Sequence, residues 1–135
     1  MARLLIVDDE IEICDFLKMF FESRGFNVTT ALSGNEAVPL VTSENPHIVL
    51  LDVMMPGMSG LETLKIIKET HPHVHVIIVT AVETKTALDE ALRLGADNYI
   101  TKPLSLEYLE SDVQTKLNNI TGKHLEIKNS QGFHP

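Results

Sequence analysis

Apolar residues gather in five short runs, Leu4–Val7, Val28–Ala31, Ile48–Leu51, Val76–Val79 and Asn98–Ile100. Three of these runs, LLIV, IVLL and VIIV, are apolar without interruption. A strand covered by helices on both faces has that pattern, whereas a half-exposed antiparallel strand alternates. Each run is followed by a segment with helical spacing. The first helix should start near Glu10, bury Ile13, Phe16, Leu17, Phe20 and Phe21, and stop at Ser23-Arg24-Gly25, where the glycine suits a left-handed cap. Ser33 and Ser59 are N-caps for the second and third helices, and Glu36 and Glu62 complete capping-box patterns three residues on. The fourth helix is expected from about Glu83 to Leu94, ending at Gly95. The fifth follows Pro103, with Ser105 as its cap, and runs to about Asn119. Strands and helices alternating at this spacing predict an α/β fold with a mainly parallel, doubly wound sheet. Right-handed crossovers then narrow the topology. In such a sheet the functional crevice lies outside the carboxyl ends of the strands, where strand order reverses.

Pro39 falls inside the second helix and predicts a kink or a late start there. Residues 121–135 lack apolar periodicity and read as a C-terminal tail or the start of a truncated linker. At 135 residues the chain suits one domain, residues 1–120, with a single core. Its 44% hydrophobic and 22% charged residues fit a soluble globular protein. No stretch is apolar enough to span a bilayer, and Met1-Ala2-Arg3-Leu4 leads directly into a strand without a signal-peptide pattern. A single cysteine, Cys14, cannot form an internal disulfide, so a cytoplasmic location is expected. The net charge of −8 and the absence of a basic run argue against direct nucleic-acid binding. Any effect on transcription would pass through a partner or a further domain.

The strand ends carry the candidate chemistry. Asp8 and Asp9 follow the first strand, Asp52 ends the third, Thr80 ends the fourth, and Lys102-Pro103 follows the fifth. Crowded carboxylates repel one another, and a cation relieves the repulsion. Mg²⁺ fits best, with Mn²⁺ as a substitute, because it takes one or two carboxylates and keeps waters that substrate oxygens can replace. A carboxylate can act as a nucleophile and form an acyl-phosphate. Phosphoryl transfer then mainly needs in-line positioning and neutralised oxygens. The metal would take one oxygen, the Lys102 ammonium a second and the Thr80 hydroxyl a third. Singly, each residue has an ordinary reading: Asp8-Asp9-Glu10 as acidic caps on the first helix, Asp52 in a turn, Thr80 in a strand. Their joint placement at one edge of the sheet favours the chemical reading.

The stretches LLIVDDE at 4–10, IVLLDVMMPGMSGLE at 48–62, VIIVTA at 76–81 and LGADNYITKP at 94–103 together resemble the receiver domains of bacterial two-component response regulators. The resemblance spans roughly residues 3–120, and the separated motifs occur in order. It implies a flavodoxin-like fold with strand order 2-1-3-4-5. It implies that Asp52 accepts a phosphoryl group from a phosphohistidine on a sensor histidine kinase or phosphotransfer protein. Asp8 and Asp9 would hold Mg²⁺, Met54 would add its backbone carbonyl, and Lys102 would contact the phosphoryl group. Pro103 would follow a cis peptide bond that aims the lysine inward. Thr80 and Tyr99 resemble the switch pair, and Ala81 is small, as access to the site requires. Phosphorylation would draw in Thr80, let Tyr99 turn inward and shift the face formed by the fourth helix, fifth strand and fifth helix. A downstream protein or a missing output domain would read that face, and a phosphorylation-dependent homodimer is one possible form. The protein would be a signalling switch that catalyses only its own phosphotransfer and slow autodephosphorylation. Positions that tune phosphoryl lifetime in the family hold Met54 and Val82 here, and neither side chain can hydrogen-bond an attacking water.

Other signals carry less. His71, His73 and His75 alternate around Pro72 and invite a metal reading, but no Cys or carboxylate joins them at ligand spacing, and a solvated loop is expected. Cys14 should pack rather than react. Met54, Met55 and Met58 should shape the loop after Asp52. Two other classes remain open. A phosphohydrolase or phosphotransferase with a nucleophilic Asp would need a second Asp where Met54 stands. A degenerate receiver would act only as an interaction module, and the complete set of site residues argues against it.

Overall fold

The computed structural model describes residues 2–55, 59–80, 85–120 and 122. The readings made for Met58, Ala81, Val82, the helix start at Glu83 and the tail, Gly122 apart, lie outside the described residues. The strands are β1 (Arg3–Val7), β2 (Asn27–Ala31), β3 (Ile48–Asp52), β4 (His75–Thr80) and β5 (Asn98–Thr101). The helices between them are α1 (Ile11–Ser23), α2 (Gly34–Glu44), α3 (Gly60–Thr70) and α4 (Lys85–Arg93). All strand pairs are parallel, in the order β2-β1-β3-β4-β5. The three uninterrupted apolar runs are the three inner strands, and the two polar-broken runs are the edges. Inner strands are covered on both faces and have no side to expose to water.

Side chains alternate across the sheet. Leu5, Val7, Val49, Leu51, Val76 and Ile78 point to one face and pack with Ala37 and Val41 of α2, Leu64 and Ile67 of α3, and Ala91 of α4. Their neighbours Leu4, Ile6, Ile48, Leu50 and Ile77 are equally buried and face the other way, the side on which α1 lies against β1 and β2. From α1 the buried residues are Cys14, Leu17, Phe20 and Phe21. Phe16, expected in this stripe, is instead 37% exposed. It sits one position from Leu17, a rotation of about 100° off the buried line.

Helix ends follow local chemistry. Ser59 and Glu62 form a reciprocal capping box on α3. On α2, the Ser33 hydroxyl accepts from the Glu36 N–H, but the Glu36 carboxylate accepts from the Leu32 N–H, one residue outside the box. Pro39 does not delay α2, which runs from Gly34 through it to Glu44. The proline is exposed, so the carbonyl of Asn35 that loses a donor lies on the solvent side. Gly25 and Gly95 follow α1 and α4 with φ of +91° and +106°, the left-handed conformation that glycine tolerates. His75 is the first residue of β4 rather than part of the preceding loop.

The chain divides into two compact units, Met1–Pro103 and Leu104–Pro135. The second contains the last helix, α5, which is α-helical at Leu106–Tyr108, widens to a π-helical turn at Leu109–Val113 and is α-helical again over 114–120. Ser105 caps it by accepting the Tyr108 N–H, and Leu109, Val113 and Leu117 are buried. No helix of the described residues is long and apolar enough to cross a membrane.

Candidate functional site

At the carboxyl end of β1 the chain leaves the sheet through Asp8, whose N–H donates to the Ala31 carbonyl at 3.1 Å. The Asp8 Oδ1 then accepts the Glu10 N–H at 2.9 Å, an Asx-type turn that leads into α1. Asp52 is the last residue of β3 and pairs in register with Val79 of β4. Its Oδ1 accepts the Met54 N–H at 3.0 Å, and the Val53 N–H donates to the Val79 carbonyl at 3.2 Å. Gly60 lets the start of α3 press against this loop, since a Cβ there would lie 2.3 Å from the Val53 Cα and 2.5 Å from the Asp52 carbonyl oxygen. Thr80 ends β4, and its carbonyl accepts the Lys102 N–H at 2.8 Å. The Lys102–Pro103 peptide is cis.

These backbone contacts bring the charged groups together. Asp8 and Asp52 are each only 3% exposed, while Asp9 is exposed. Oxygens from all three lie within 4.8 Å of one another, and this is the one such group of potential metal ligands among the described residues. The Lys102 ammonium bridges the two buried members, 3.1 Å from Asp8 Oδ2 and 3.3 Å from Asp52 Oδ2. Burial pushes the Asp52 pKa above the ordinary carboxylate value, and the negative charge of Asp8 adds to the rise. The Met54 N–H and the Lys102 ammonium act against that rise without cancelling it. For Lys102, burial acts to lower the pKa, but the hydrogen bond to Asp8 and the charges of Asp52 and Asp8 outweigh it, and the pKa is raised. Cys14 lies beneath the site, with its thiol donating to the carbonyls of Asp8 at 3.3 Å and Ala31 at 3.8 Å. Burial and the Asp8 charge push that thiol up to about 11. Three carboxylates of hard oxygen character with one ammonium between them suit a small divalent cation and an arriving anionic group.

Residues 4–114 match the model of the response regulator receiver domain. The chain belongs to that family. Receiver domains are signalling switches of two-component systems, and this one resembles several solved examples. The receiver domain of the Francisella response regulator 1452 is 31% identical, with a TM-score of 0.81, over 91% of this chain and 98% of that one. The response regulator TrrA from Thermotoga maritima, in complex with Mg²⁺-BeF, is 32% identical, with a TM-score of 0.78, over 89% of this chain and 99% of that one. The CheX-CheY-BeF3-Mg²⁺ complex from Borrelia burgdorferi contains a match at 34% identity and a TM-score of 0.78, over 86% of this chain and 89% of that one.

Within this receiver, the sequence-derived residues Asp8, Asp9, Asp52 and Lys102 come together. Thr80 lies one strand position beyond the partner of Asp52, at the same sheet edge. Met54, two positions after Asp52, donates its N–H to the carboxylate and is 70% exposed. Tyr99 pairs in register with Ile78 on the edge strand β5 and is 37% exposed. The histidines remain apart from this site: His71 contacts Thr42 and Thr70, while His75 faces Asp97 at 3.5 Å. Two features escaped the sequence reading, the tight approach at Gly60 and the Glu10 carboxylate 3.6 Å from the Lys102 ammonium. The DDE run contained the signal for Glu10, but it read equally well as a helix cap.

Proposed function

We propose that this receiver is a phosphoacceptor switch in which Asp52 takes a phosphoryl group from a phosphohistidine of a sensor kinase or phosphotransfer protein. The convergence of the Asp8, Asp9 and Asp52 oxygens within 4.8 Å, with Lys102 bridging Asp8 and Asp52, carries the reading. An Asp52 oxygen forms a bond to phosphorus as the P–N bond of the donor breaks. The electron pair leaves on the imidazole nitrogen, which takes up a proton. Asp8, Asp9, Asp52 and the Met54 carbonyl would hold Mg²⁺ or Mn²⁺, and when bound the ion neutralises phosphoryl oxygens. Lys102 and Thr80 hold the remaining oxygens. The Mg²⁺-BeF complex of the Thermotoga relative supports this assignment.

Phosphorylation then shifts a population of conformers through Thr80 and Tyr99 and alters a binding surface that includes α4 and β5. A downstream protein, an output domain or a second phosphorylated copy reads that surface in the cytoplasm. The Borrelia relative's complex with CheX is consistent with a protein partner. Residues 1–120 form the receiver in this reading, and 121–135 a tail or linker. Met54 and Val82 stand two positions past Asp52 and two past Thr80 in the sequence, where the family tunes phosphoryl lifetime, and neither side chain can hydrogen-bond water, so the acyl-phosphate would be long-lived. Introducing Met54→Asn and Val82→Glu together should shorten its half-life, and an unchanged or longer half-life counts against the idea.

The deciding experiment incubates the protein with Mg²⁺ and acetyl phosphate and compares it with Asp52→Asn by intact-mass spectrometry. A stable gain of one phosphoryl group that depends on Asp52 is expected. Multiple turnover of a phosphoester would instead indicate a hydrolase, and no modification a degenerate interaction module.

A further inference from the structure

Glu10 stands at the start of α1, and its backbone is firmly held. Its N–H donates to Asp8 Oδ1 at 2.9 Å, and its carbonyl accepts the N–H groups of Ile13 and Cys14 at 3.0 and 3.1 Å. From that base the carboxylate reaches to 3.6 Å from the Lys102 ammonium. Lys102 therefore meets three carboxylates, Asp8 at 3.1 Å, Asp52 at 3.3 Å and Glu10 at 3.6 Å. They differ in surroundings, because the side chains of Asp8 and Asp52 are 4% exposed and that of Glu10 is 62% exposed. Glu10 is the exposed one of the three and lies outside the converging trio of Asp8, Asp9 and Asp52.

We propose that Glu10 is a positioning residue that restrains the Lys102 ammonium in the resting site and releases it when an anionic group arrives at Asp52. The inference rests on Lys102 being the cation that meets the phosphoryl group. An ammonium is a point charge on a flexible stem, so its position follows the balance of carboxylates around it. Any interaction with Glu10 that must break as Lys102 turns to the new anion opposes binding of that anion. Because Glu10 is exposed, the pair is screened and weak, and its effect is tuning rather than an on-off control. A cap that merely complements the helix dipole, or a general negative field at the site mouth, would depend on the charge of residue 10 and not on its reach.

Reach and charge separate in two variants. Glu10→Gln keeps the length and removes the charge, whereas Glu10→Asp keeps the charge and withdraws it by one methylene. The dissociation constant for beryllofluoride at saturating Mg²⁺, measured by titration calorimetry, should fall about threefold in both variants relative to the native protein. In the Mg²⁺-free protein, the Lys102 Cε–Hε resonances should move in both. Tighter binding in Glu10→Gln with native behaviour in Glu10→Asp would assign the effect to field alone and overturn the proposal. So would weaker or unchanged binding in both variants, or Lys102 resonances that stay in place. A native protein that forms no Mg²⁺-dependent adduct would sink the phosphoacceptor reading itself, and the Lys102 resonances would still decide whether Glu10 holds the lysine.

Discussion

Asp52 is held in the fold at a cost that its chemistry requires. Its pKa is raised by burial, so between the unfolded and folded values the folded chain binds more protons, and stability falls as pH rises through that window. Asp52→Asn removes the buried charge and leaves Lys102 paired with Asp8 at 3.1 Å. The variant should be more stable than the native protein at pH 7 by about 1 kcal/mol in urea unfolding without divalent ions. That advantage should shrink as pH approaches 3.8, the ordinary value for this group. A native protein that equals or exceeds the variant at pH 7 would contradict it. Cys14 offers a second test at this scale. With its thiol buried and pushed up to about 11, its reaction with a disulfide reagent at pH 8 should be far slower in the folded protein than in urea. Equal rates would show the thiol to be accessible. The convergence of Asp8, Asp9, Asp52 and Lys102 was legible in the sequence, since each stands at a strand end or within two residues of one. The sequence could not show that Glu10 reaches Lys102. That contact spans 92 sequence positions, and it depends on how far the carboxyl ends of β1 and β5 stand apart rather than on local pattern.

Elements are positioned by a few close approaches, of which Gly60 matters most. A methyl group there would strike backbone atoms of Asp52 and Val53, which cannot move without displacing the acceptor. Gly60→Ala should cost about 2–3 kcal/mol and also weaken Mg²⁺-dependent beryllofluoride binding. Gly25→Ala makes the useful contrast, because its positive φ costs about 1 kcal/mol while nothing lies within 4 Å of the added atom. Gly25→Ala should lower the unfolding midpoint and leave beryllofluoride affinity unchanged. If both glycine variants bind beryllofluoride as the native protein does, α3 does not position the acceptor loop. The existence of each described helix was readable from apolar spacing and caps, but the π-helical turn at Leu109–Val113 was not. Nor was the exposure of Phe16, because its spacing of four residues before Phe20 fits a helical stripe, whereas the sheet covers only the arc holding Cys14, Leu17, Phe20 and Phe21. The Glu36 carboxylate likewise chose between two neighbouring N–H groups that sequence does not distinguish.

Across the molecule the sheet order turns local composition into a gradient of stability. The uninterrupted apolar runs marked β1, β3 and β4 as doubly covered, and those are the inner strands. The motifs beyond periodicity were needed to expect which edge strand lay beside which inner one, since burial alone does not order strands. Backbone groups at the centre of a sheet open only with the whole fold, whereas edge strands can detach locally. Amide exchange should therefore be slowest in β1, β3 and β4 and faster in β2 and β5. At β5 the Asp97 side chain reinforces the edge. The Asp97 carboxylate accepts the Val76 N–H at 2.8 Å, pairs with Lys68 of α3 at 3.1 Å and faces His75 at 3.5 Å. Lys68 is further tied to the Val74 carbonyl at 2.6 Å, so the start of β5 is fastened to β4 and α3 together. Asp97→Ala removes the acceptor from a partly buried N–H and leaves Lys68, among the described residues, with its bond to the Val74 carbonyl. Exchange in β5 should then accelerate about tenfold relative to the native protein, while exchange in β1 and β3 changes much less. Uniform acceleration across all five strands would mean that β5 opens only with the whole sheet, and the fastening would then be a contribution to global stability instead of a local restraint on the strand that carries Tyr99 and leads to Lys102.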